Sequence, residues 1–294
     1  MSHKAGFVNI IGNPNVGKST LLNALVGEKI SIITHKSQTT RHRILGIVSE
    51  DNFQIVFSDT PGILTPHYRL QQCMLHQVEN ALSDADLFLL VTDLGESLKS
   101  KEILDRIKQC STPVIVVINK VDTSTQEKIN GIIEYWEKKI PRAEIVPCSA
   151  LLHVGVEKVM ELVLKYLPDS PAYYEKDALT DRNMRFLVSE IIREKILLRY
   201  SKEIPYSTEV EIEEFIEGKD LDKIRAIIYT ERESQKKIII GHKGEQIKHI
   251  GIESRKDIEH FTNKKCYLEL FVKVKKDWRN NENALKGFGY ETKK

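Results

Sequence analysis

The segment "GNPNVGKS", residues 12–19, constrains the fold of this chain more than any other stretch, because it fits the phosphate-loop pattern G-x-x-x-x-G-K-[ST]. It follows the apolar run "GFVNIIG" and precedes "KSTLLNALVG", whose spacing of apolar residues predicts a helix. Such a loop needs a strand before it and a helix N-terminus after it, so that backbone N–H groups converge on a phosphate. The sequence therefore predicts an α/β domain, and a chance glycine turn is the alternative for this motif alone.

Short β-branched runs alternate with helical patterns as far as residue 168. The runs "FQIVFSD", "DLFLLVTD" and "PVIVVINK" are apolar on both faces, which is typical of buried parallel strands. A shorter strand, "AEIVPCSA", and two helices, "EKINGIIEYWEKKI" and "VEKVMELVLKYL", complete the pattern. We expect a mainly parallel, doubly wound sheet, with residues 1–168 forming the first domain.

The phosphate loop assigns a role to each of its parts. Backbone N–H groups of residues 15–19 would surround the phosphates, Lys18 would reach the β- and γ-oxygens, and Ser19 would bind Mg²⁺. The nucleotide-binding residues predicted here are Gly12, Asn13, Asn15, Val16, Gly17, Lys18, Ser19 and Thr20.

The tetrapeptide "DTPG", residues 59–62, ends the strand "FQIVFSD". Asp59 can bind the metal through a water molecule, and the Gly62 N–H can donate a hydrogen bond to a γ-phosphate. Taken alone, the same tetrapeptide is also consistent with a simple proline turn.

The motif "NKVD", residues 119–122, ends the strand "PVIVVINK". The Asp122 carboxylate can accept hydrogen bonds from the ring N–H and the exocyclic amine of guanine, a pair of donors that adenine lacks. An Asn-Lys helix cap is the alternative. With "CSA" on the following strand, the predicted base-binding residues are Asn119, Lys120, Asp122, Ser149 and Ala150. The predicted ligands are GTP or GDP with Mg²⁺.

In this order, the four motifs resemble those of the translation-factor-like small GTPases. The resemblance implies that "ISIITHKSQTTRHRILG" is the first switch loop, in which a threonine hydroxyl meets Mg²⁺ once GTP is bound. Thr39 and Thr40 are both available, and we favour Thr40. The implied catalytic residues are Lys18, Thr40, Asp59 and Gly62, and the implied metal ligands are Ser19, Thr40 and Asp59.

One position departs from the Ras-like pattern. Ras-like proteins carry a glutamine after the D-x-x-G glycine to orient the attacking water, and here that position is Ile63. An aliphatic side chain cannot orient water, so we expect slow hydrolysis, with the water placed by backbone, metal or a partner.

A second domain follows "PDSPAYYEKDALTD", which has two prolines, polar residues and no periodicity. We assign residues 169–181 to a linker and residues 182–294 to this second domain. Its pattern predicts the helix "RNMRFLVSEIIREKILLRY", the strands "YSTEVEIEEFIE", "LDKIRAIIYTE" and "CYLELFVKVK", and a tail helix from Trp278. Before the last strand, the β-branched run 238–240 predicts a strand that precedes "GHKG" and a helix. The order is α-β-β-α-α-β if that helix breaks at Gly251.

The segment "GHKG", residues 241–244, fits the G-x-x-G loop of a KH domain, where glycines let a single-stranded backbone approach closely, and the α-β-β-α-α-β order is the type II arrangement. A plain turn is the alternative. Residues 232–294 carry 16 Lys and Arg against 9 Asp and Glu, a net charge of +7 in a chain whose total is +2. This uneven charge favours a polyanionic partner for the second domain.

A small GTPase followed by a type II KH domain resembles the Era family of bacterial ribosome-assembly GTPases over nearly the whole chain. "SQTTRHRILG", "QKKIIIGHKG" and "LELFVKVKKDWR" are among the segments that carry this resemblance. It implies that the second loop grips the 3′ end of 16S rRNA in the immature 30S subunit. The predicted RNA-binding residues are Lys236, Lys237, Gly241, His242, Lys243, Gly244 and Lys248.

We expect a cytoplasmic protein, because no apolar run reaches the roughly 20 residues that a membrane span needs. We also expect a monomer. Any contact with the inner face of the cell membrane would be peripheral, through basic surface. A metabolic P-loop kinase would have no use for "NKVD", and a degenerate nucleotide domain would not retain Lys18, Ser19, Asp59 and Asp122. The sequence therefore predicts a GTP-hydrolysing, RNA-binding switch.

Overall fold

The computed structural model describes residues 3–95 and 98–291, so the predicted domain limits at residues 1 and 294 lie outside the described residues. The chain divides into two compact units. The first contains the residues up to His67 and Gln71–Asp181, and the second contains Tyr68–Leu70 with the residues from Arg182 onward. Residues 169–181, predicted as a linker, therefore belong to the first unit.

The first unit is built on a six-stranded sheet with the order β2-β3-β1-β4-β5-β6. Its strands are β1 (Lys4–Gly12), β2 (Ile44–Ser49), β3 (Phe53–Asp59), β4 (Leu87–Thr92), β5 (Val114–Ile118) and β6 (Glu144–Pro147). Strand β2 is antiparallel to β3, and the other pairs are parallel. The predicted mainly parallel sheet is confirmed, and the edge strand β2 is an addition that the sequence pattern does not reveal.

Helices cover both faces of this sheet, as the strands' apolar residues require. They are α1 (Lys18–Val26), α2 (Arg69–Ser83), α3 (Lys101–Gln109), α4 (Gln126–Lys139) and α5 (Val156–Tyr166). Leu89 of β4 packs in the cluster that contains residues of α1 and α5. Its neighbour Leu90 packs in the cluster that contains residues of α2, α3 and α4. Successive strand residues thus face opposite layers, which is the doubly wound arrangement.

The strand order fixes where a ligand site can form. Strand β1 lies between β3 and β4, and β5 is the next strand outward from β4. The loops that follow the parallel strands β1, β3 and β5 leave from the carboxyl edge of the sheet. Ligands of open α/β sheets bind at this edge.

Residues 169–181 are ordered against β2 and β3. The Gln54 side chain accepts hydrogen bonds from the backbone N–H groups of Tyr173 (2.7 Å) and Tyr174 (2.9 Å) and donates to the Tyr174 carbonyl (2.9 Å). The Ile47 N–H donates to the Leu179 carbonyl at 2.9 Å. The Ile47 bond satisfies a backbone donor of the edge strand β2.

The second unit combines a three-stranded sheet with helices. Its elements are α6 (Met184–Arg199), α7 (Ile204–Ser207), β7 (Glu209–Ile216), β8 (Leu221–Thr230), α8 (Glu233–Ile240), α9 (Glu245–Thr262), β9 (Lys265–Val274) and α10 (Glu282–Gly287). Strand β8 is the central strand, antiparallel to β7 and parallel to β9. Residues of α6, α8, α9 and all three strands form one apolar cluster. No helix in the described ranges is long and apolar enough to cross a membrane.

Three local predictions in this unit are wrong. The β-branched run 238–240 ends helix α8, so "GHKG" joins two helices and not a strand to a helix. Helix α9 continues through Gly251, so the order α-β-β-α-α-β comes from α8 and not from a break at that glycine. The tail helix α10 begins at Glu282 and not at Trp278, because Asn281 Oδ1 accepts the Ala284 N–H at 2.9 Å and caps the helix there.

Tertiary packing explains the misread of α8. Gln235 Oε1 accepts the N–H groups of Glu231 (3.0 Å) and Arg232 (3.1 Å), which starts a helix. Ile239 is then fully buried in the apolar cluster. Burial of that helix face outweighs the strand propensity of three consecutive isoleucines.

Candidate nucleotide and nucleic-acid sites

The phosphate loop connects β1 to α1 and requires its glycines. Gly17 has φ 97°, and a Cβ atom at this position would lie 2.1 Å from Asn119 Nδ2. A Cβ atom at Gly12 would lie 2.2 Å from the Val91 carbonyl oxygen. Asn15 adopts φ 65°, so the loop is folded tightly around the start of α1. Backbone N–H groups at this helix start suit an anionic ligand.

Lys18 is buried at the base of the loop. Its Nζ donates to the carbonyl oxygens of Asn13 (2.9 Å) and Gly12 (3.3 Å). Burial lowers the pKa of Lys18 to about 8, and the nearby Asp59 carboxylate opposes that effect. A buried ammonium of this kind gains most from a phosphate, which would supply the negative charge that burial demands.

Asp59 lies at the end of β3 and receives a cluster of hydroxyl groups. Its Oδ2 accepts from Ser19 Oγ (2.6 Å), Ser31 Oγ (2.9 Å) and Thr40 Oγ1 (3.2 Å). Burial raises the pKa of Asp59, whereas Lys18 and the three hydroxyls act in the opposite direction. Its Oδ1 is buried and accepts no hydrogen bond from the described residues.

The hydrogen bonds of the two candidate threonines in the first switch loop show which one contacts Asp59. Thr40 Oγ1 lies 2.9 Å from Ser19 Oγ, beside Asp59. Thr39 Oγ1 instead donates to the Lys36 carbonyl (2.7 Å) and lies 2.6 Å from Thr34 Oγ1. The structure therefore brings Ser19, Thr40 and Asp59 together. An all-oxygen set with an unpartnered buried carboxylate oxygen fits Mg²⁺.

Gly62 and Ile63 follow Asp59 and face different surroundings. A Cβ atom at Gly62 would lie 2.7 Å from Pro14 Cα, so the glycine allows this segment to approach the phosphate loop. The Ile63 N–H donates to the Gly12 carbonyl at 3.2 Å. The Ile63 side chain is 2% exposed and packs with Ile11 and Val78. It thus belongs to the apolar core.

Asn119, directly after β5, stabilises the site by hydrogen bonds to two of its loops. Its Nδ2 donates to the Val16 carbonyl (2.8 Å), and its Oδ1 accepts the Ala150 N–H (2.9 Å). Lys120 Nζ donates to the Asn15 carbonyl at 2.6 Å. These side chains tie the phosphate loop to the loop after β6. Asp122 is exposed and makes no hydrogen bond or ion pair within the described part of the chain, so its carboxylate is available to a base.

One cavity of about 570 Å³ joins these groups, which is within the usual range for a nucleotide-sized ligand. Eleven of the predicted residues line it: Asn15, Gly17, Lys18, Ser19, Thr20, Thr40, Gly62, Asn119, Lys120, Asp122 and Ser149. The other predicted residues of this site are buried and do not line the cavity: Gly12, Asn13, Val16, Asp59 and Ala150. The sequence analysis missed further lining residues, most of them in the switch loop: Pro14, Ile32, Ile33, Thr34, His35, Lys36, Gln38, Thr123 and Leu151.

The "GHKG" loop of the second unit presents backbone and charge to solvent. Gly241 has φ 75°, and its Cβ would lie 2.3 Å from Gln246 Cγ, so only glycine fits. Lys243 and Gly244 also have positive φ, and a Cβ at Gly244 would meet no atom within 4 Å. His242 and Lys243 are exposed beside the N-terminus of α9. This geometry suits a phosphate backbone.

A groove of about 320 Å³ lies between α9 and β9, and the sequence analysis missed most of it. Its lining is Ile247, Lys248, Gly251, Ile252, Arg255, Tyr267, Leu268 and Leu270. Among the predicted RNA-binding residues, Lys248 lies in this groove, whereas Lys236 and Lys237 lie on α8. The spacing of Ile247, Gly251 and Arg255 by four residues places them on one helix face, and that spacing is the signal that could have identified the groove. An apolar floor with cationic edges fits unstacked bases and their phosphates.

Two family models match the chain. The model described as "50S ribosome-binding GTPase" matches residues 7–120, and the KH-domain model matches residues 203–279. Curated relatives match almost the full length. GTPase Era of Clostridium kluyveri is 45% identical over 291 residues, covering 98% of this chain and 99% of that protein. GTPase Era of Alkaliphilus oremlandii is 44% identical over 295 residues, covering 99% and 100%.

Solved structures agree with this match. A variant of Aquifex aeolicus Era bound to GDP and AlF4⁻ has a TM-score of 0.94 and 40% identity, covering 98% of this chain and 99% of that one. Era in complex with MgGDPNP and nucleotides 1506–1542 of 16S ribosomal RNA also has a TM-score of 0.94, at 39% identity and the same coverage.

Proposed function

This chain belongs to the Era family of GTPases, and on that premise we propose that it is a GTP-hydrolysing switch that binds the 3′ end of 16S rRNA during assembly of the 30S subunit. The observation that carries the proposal is the presence of two complete sites in one chain. Lys18, Thr40 and Asp122 line one cavity, and Lys243 stands at the N-terminus of α9 next to an apolar groove.

The nucleotide site supports guanine specificity and phosphate binding through separate groups. The Asp122 carboxylate accepts the paired donors of guanine. The Lys18 ammonium and the N–H groups of the phosphate loop bind the β- and γ-phosphates. Ser19 and Thr40 would hold Mg²⁺ directly and Asp59 would hold it through water, and the bound ion would neutralise charge on the phosphates.

Hydrolysis in this protein uses no side chain at position 63. Ile63 is buried in the core, so the attacking water is placed by backbone groups, the metal or a partner, while the Gly62 N–H contacts the γ-phosphate. We therefore propose slow intrinsic hydrolysis with Lys18, Thr40, Asp59 and Gly62 as the groups that contact the reacting phosphate or its metal.

The loop and the groove of the RNA site bind different parts of the RNA. The backbone of "GHKG" and the side chains of His242 and Lys243 hold phosphates, while the groove between α9 and β9 accepts unstacked bases. The solved Era complex contains nucleotides 1506–1542 of 16S rRNA, which supports the 3′ end of that RNA as the ligand. Bound GTP and Mg²⁺ would order the switch loop, and hydrolysis would release the protein from the RNA.

The ribosomal role sets the proposed location. We place this protein in the cytoplasm as a monomer, with the immature 30S subunit as its partner. Where it meets the inner face of the cell membrane, the contact is peripheral and uses the basic residues of the second unit.

Binding by the whole chain tests both halves of the proposal. We expect GTP and GDP to bind with Mg²⁺ and ATP to bind far more weakly, and a single-stranded RNA with the 16S 3′ sequence to bind at the groove. Gly251→Leu fills the groove, whereas Gly251→Ala adds a Cβ at an ordinary 3.6 Å from Leu270 Cδ1. Both changes favour the helix by up to about 1 kcal/mol.

Because leucine at position 251 fills the groove, Gly251→Leu should weaken RNA binding about tenfold or more. The RNA affinity of Gly251→Ala, and the GTP affinity of both variants, should stay close to those of the parent. Equal RNA affinity for the two variants would remove the groove from the proposal, and equal affinity of the parent for ATP and GTP would remove the guanine site.

A further inference from the structure

Ser31 is one of three residues whose hydroxyl groups donate to Asp59 Oδ2, and the proposed function uses only the other two. Ser19 and Thr40 are the proposed magnesium ligands, whereas Ser31 lies near the start of the first switch loop. Its Oγ donates to Asp59 Oδ2 at 2.9 Å, and the residue is 1% exposed. A buried hydroxyl that donates a hydrogen bond to a metal-binding carboxylate can change metal affinity without contacting the metal.

The position of Ser31 is fixed by Asn23 of α1. Asn23 Oδ1 accepts the N–H groups of Ile30 (3.1 Å) and Ser31 (3.0 Å), and Asn23 Nδ2 donates to the Ser31 carbonyl (2.7 Å). Three hydrogen bonds from one amide therefore hold the peptide units around Ser31. Lys18 and Ser19 stand at the start of the same helix, so Asn23 links the position of Ser31 to that of the phosphate loop.

The Ser31 hydroxyl differs from those of Ser19 and Thr40 because it is not a proposed metal ligand. Ser19 and Thr40 line the cavity and are shared with the metal, whereas Ser31 does not line the cavity. A carboxylate can rotate about its last torsion and exchange its two oxygens. All three hydroxyls donate to Oδ2 and so oppose that rotation, but Ser31 is the one of the three that is not a proposed metal ligand, and its bond to Oδ2 can persist when Ser19 and Thr40 bind the metal.

We propose that Ser31 is a positioning residue of the magnesium site: held by Asn23, its hydroxyl fixes the Asp59 carboxylate in the orientation that binds a metal-bound water. This inference rests on the proposed function. Ser31 touches neither nucleotide nor metal and acts through Asp59. It couples the start of the first switch loop to the metal site.

The test measures how Mg²⁺ slows the release of a fluorescent GDP from the whole protein. Ser31→Thr and Ser31→Val are matched in volume and differ in the hydroxyl. Release rates are measured for the parent and both variants across a range of free Mg²⁺ and in excess EDTA, and thermal unfolding of each is recorded without Mg²⁺.

Removal of the hydroxyl should raise the half-saturating Mg²⁺ concentration about tenfold in Ser31→Val, the lower end of the effect of a group that orients a metal ligand. Ser31→Thr should stay within about threefold of the parent, and release in EDTA should agree among all three proteins within about twofold. If the Val variant does not fold, Ser31→Ala takes its place against Ser31→Thr.

Equal Mg²⁺ dependence of the Thr and Val variants would overturn the inference. So would a Val variant that speeds release by the same factor with and without Mg²⁺, because that result describes a structural role alone. A parent whose GDP release does not respond to Mg²⁺ would remove the magnesium site from the proposed function, and this inference with it, whereas failure of the proposed function itself would appear as equal binding of ATP and GTP.

Discussion

Replacing Asp122 by Asn tests the assignment of guanine recognition to a single carboxylate. In the structure Asp122 is exposed, lines the cavity, and makes no hydrogen bond or ion pair within the described part of the chain. The 3₁₀ turn that carries it is closed by backbone groups, with the Thr123 N–H donating to the Lys120 carbonyl at 3.0 Å. The substitution therefore removes recognition without removing a contact that the fold uses.

The expected loss follows from two charge-assisted hydrogen bonds. Each contributes about 1.5–3 kcal/mol. The exposed position of Asp122 favours the lower value, so the pair amounts to about 3 kcal/mol, or roughly 100-fold in dissociation constant. Xanthine has a carbonyl where guanine has its exocyclic amine, so the Asn amide can donate to it. We expect GTP and GDP to bind about 100-fold more weakly, and xanthine nucleotides to bind more tightly than they bind the parent.

Titration of fluorescent GDP and XDP analogues into the parent and the Asp122→Asn variant measures both changes. Asp105→Asn is a matched control, because Asp105 lies on α3 outside the cavity. Its nucleotide affinities should equal those of the parent, and all three proteins should unfold at the same temperature. A variant that binds GTP as tightly as the parent would refute the role of Asp122 in reading the base.

Three further predictions address the chemistry and the RNA site. Ile63→Val should keep single-turnover GTP hydrolysis within about twofold while lowering the free energy of unfolding by about 0.5–1.5 kcal/mol, because the residue packs in the core; a loss of several decades in rate would show that its side chain helps to place the water. Replacing His242 and Lys243 by Asp should weaken binding of the single-stranded rRNA 3′ end strongly and make its salt dependence shallower, with GTP affinity as the control; unchanged RNA affinity would mean that the loop is only a turn. The pKa of Lys18 is about 8 before nucleotide binds, and bound phosphate favours the ammonium, so binding above pH 8 takes up a proton and affinity falls as pH rises further. Calorimetry at pH 9 in two buffers with different ionisation enthalpies would detect that proton uptake, and identical heats would contradict it.

The sequence by itself determined the chemistry of the nucleotide site and the order of the two domains. "GNPNVGKS", "DTPG" and "NKVD" each place their functional groups within a few residues of a strand end. The parallel sheet then brings those strand ends to one edge, so the apolar strand pattern already implies that the motifs meet. The basic excess of residues 232–294 and the "GHKG" loop likewise predicted the second site.

Tertiary structure alone decided which of two neighbouring threonines contacts Asp59. Thr39 and Thr40 are chemically alike, and the path of the switch loop places the Thr40 hydroxyl beside Asp59. The isoleucines before "GHKG" favour a strand locally but form a helix, because burial of Ile239 in the core outweighs propensity. Ser31 belongs to no motif; its hydroxyl donates directly to Asp59, and the side-chain amide of Asn23 holds the backbone around it. Contacts between residues far apart along the chain depend on packing, and local sequence pattern carries no record of them.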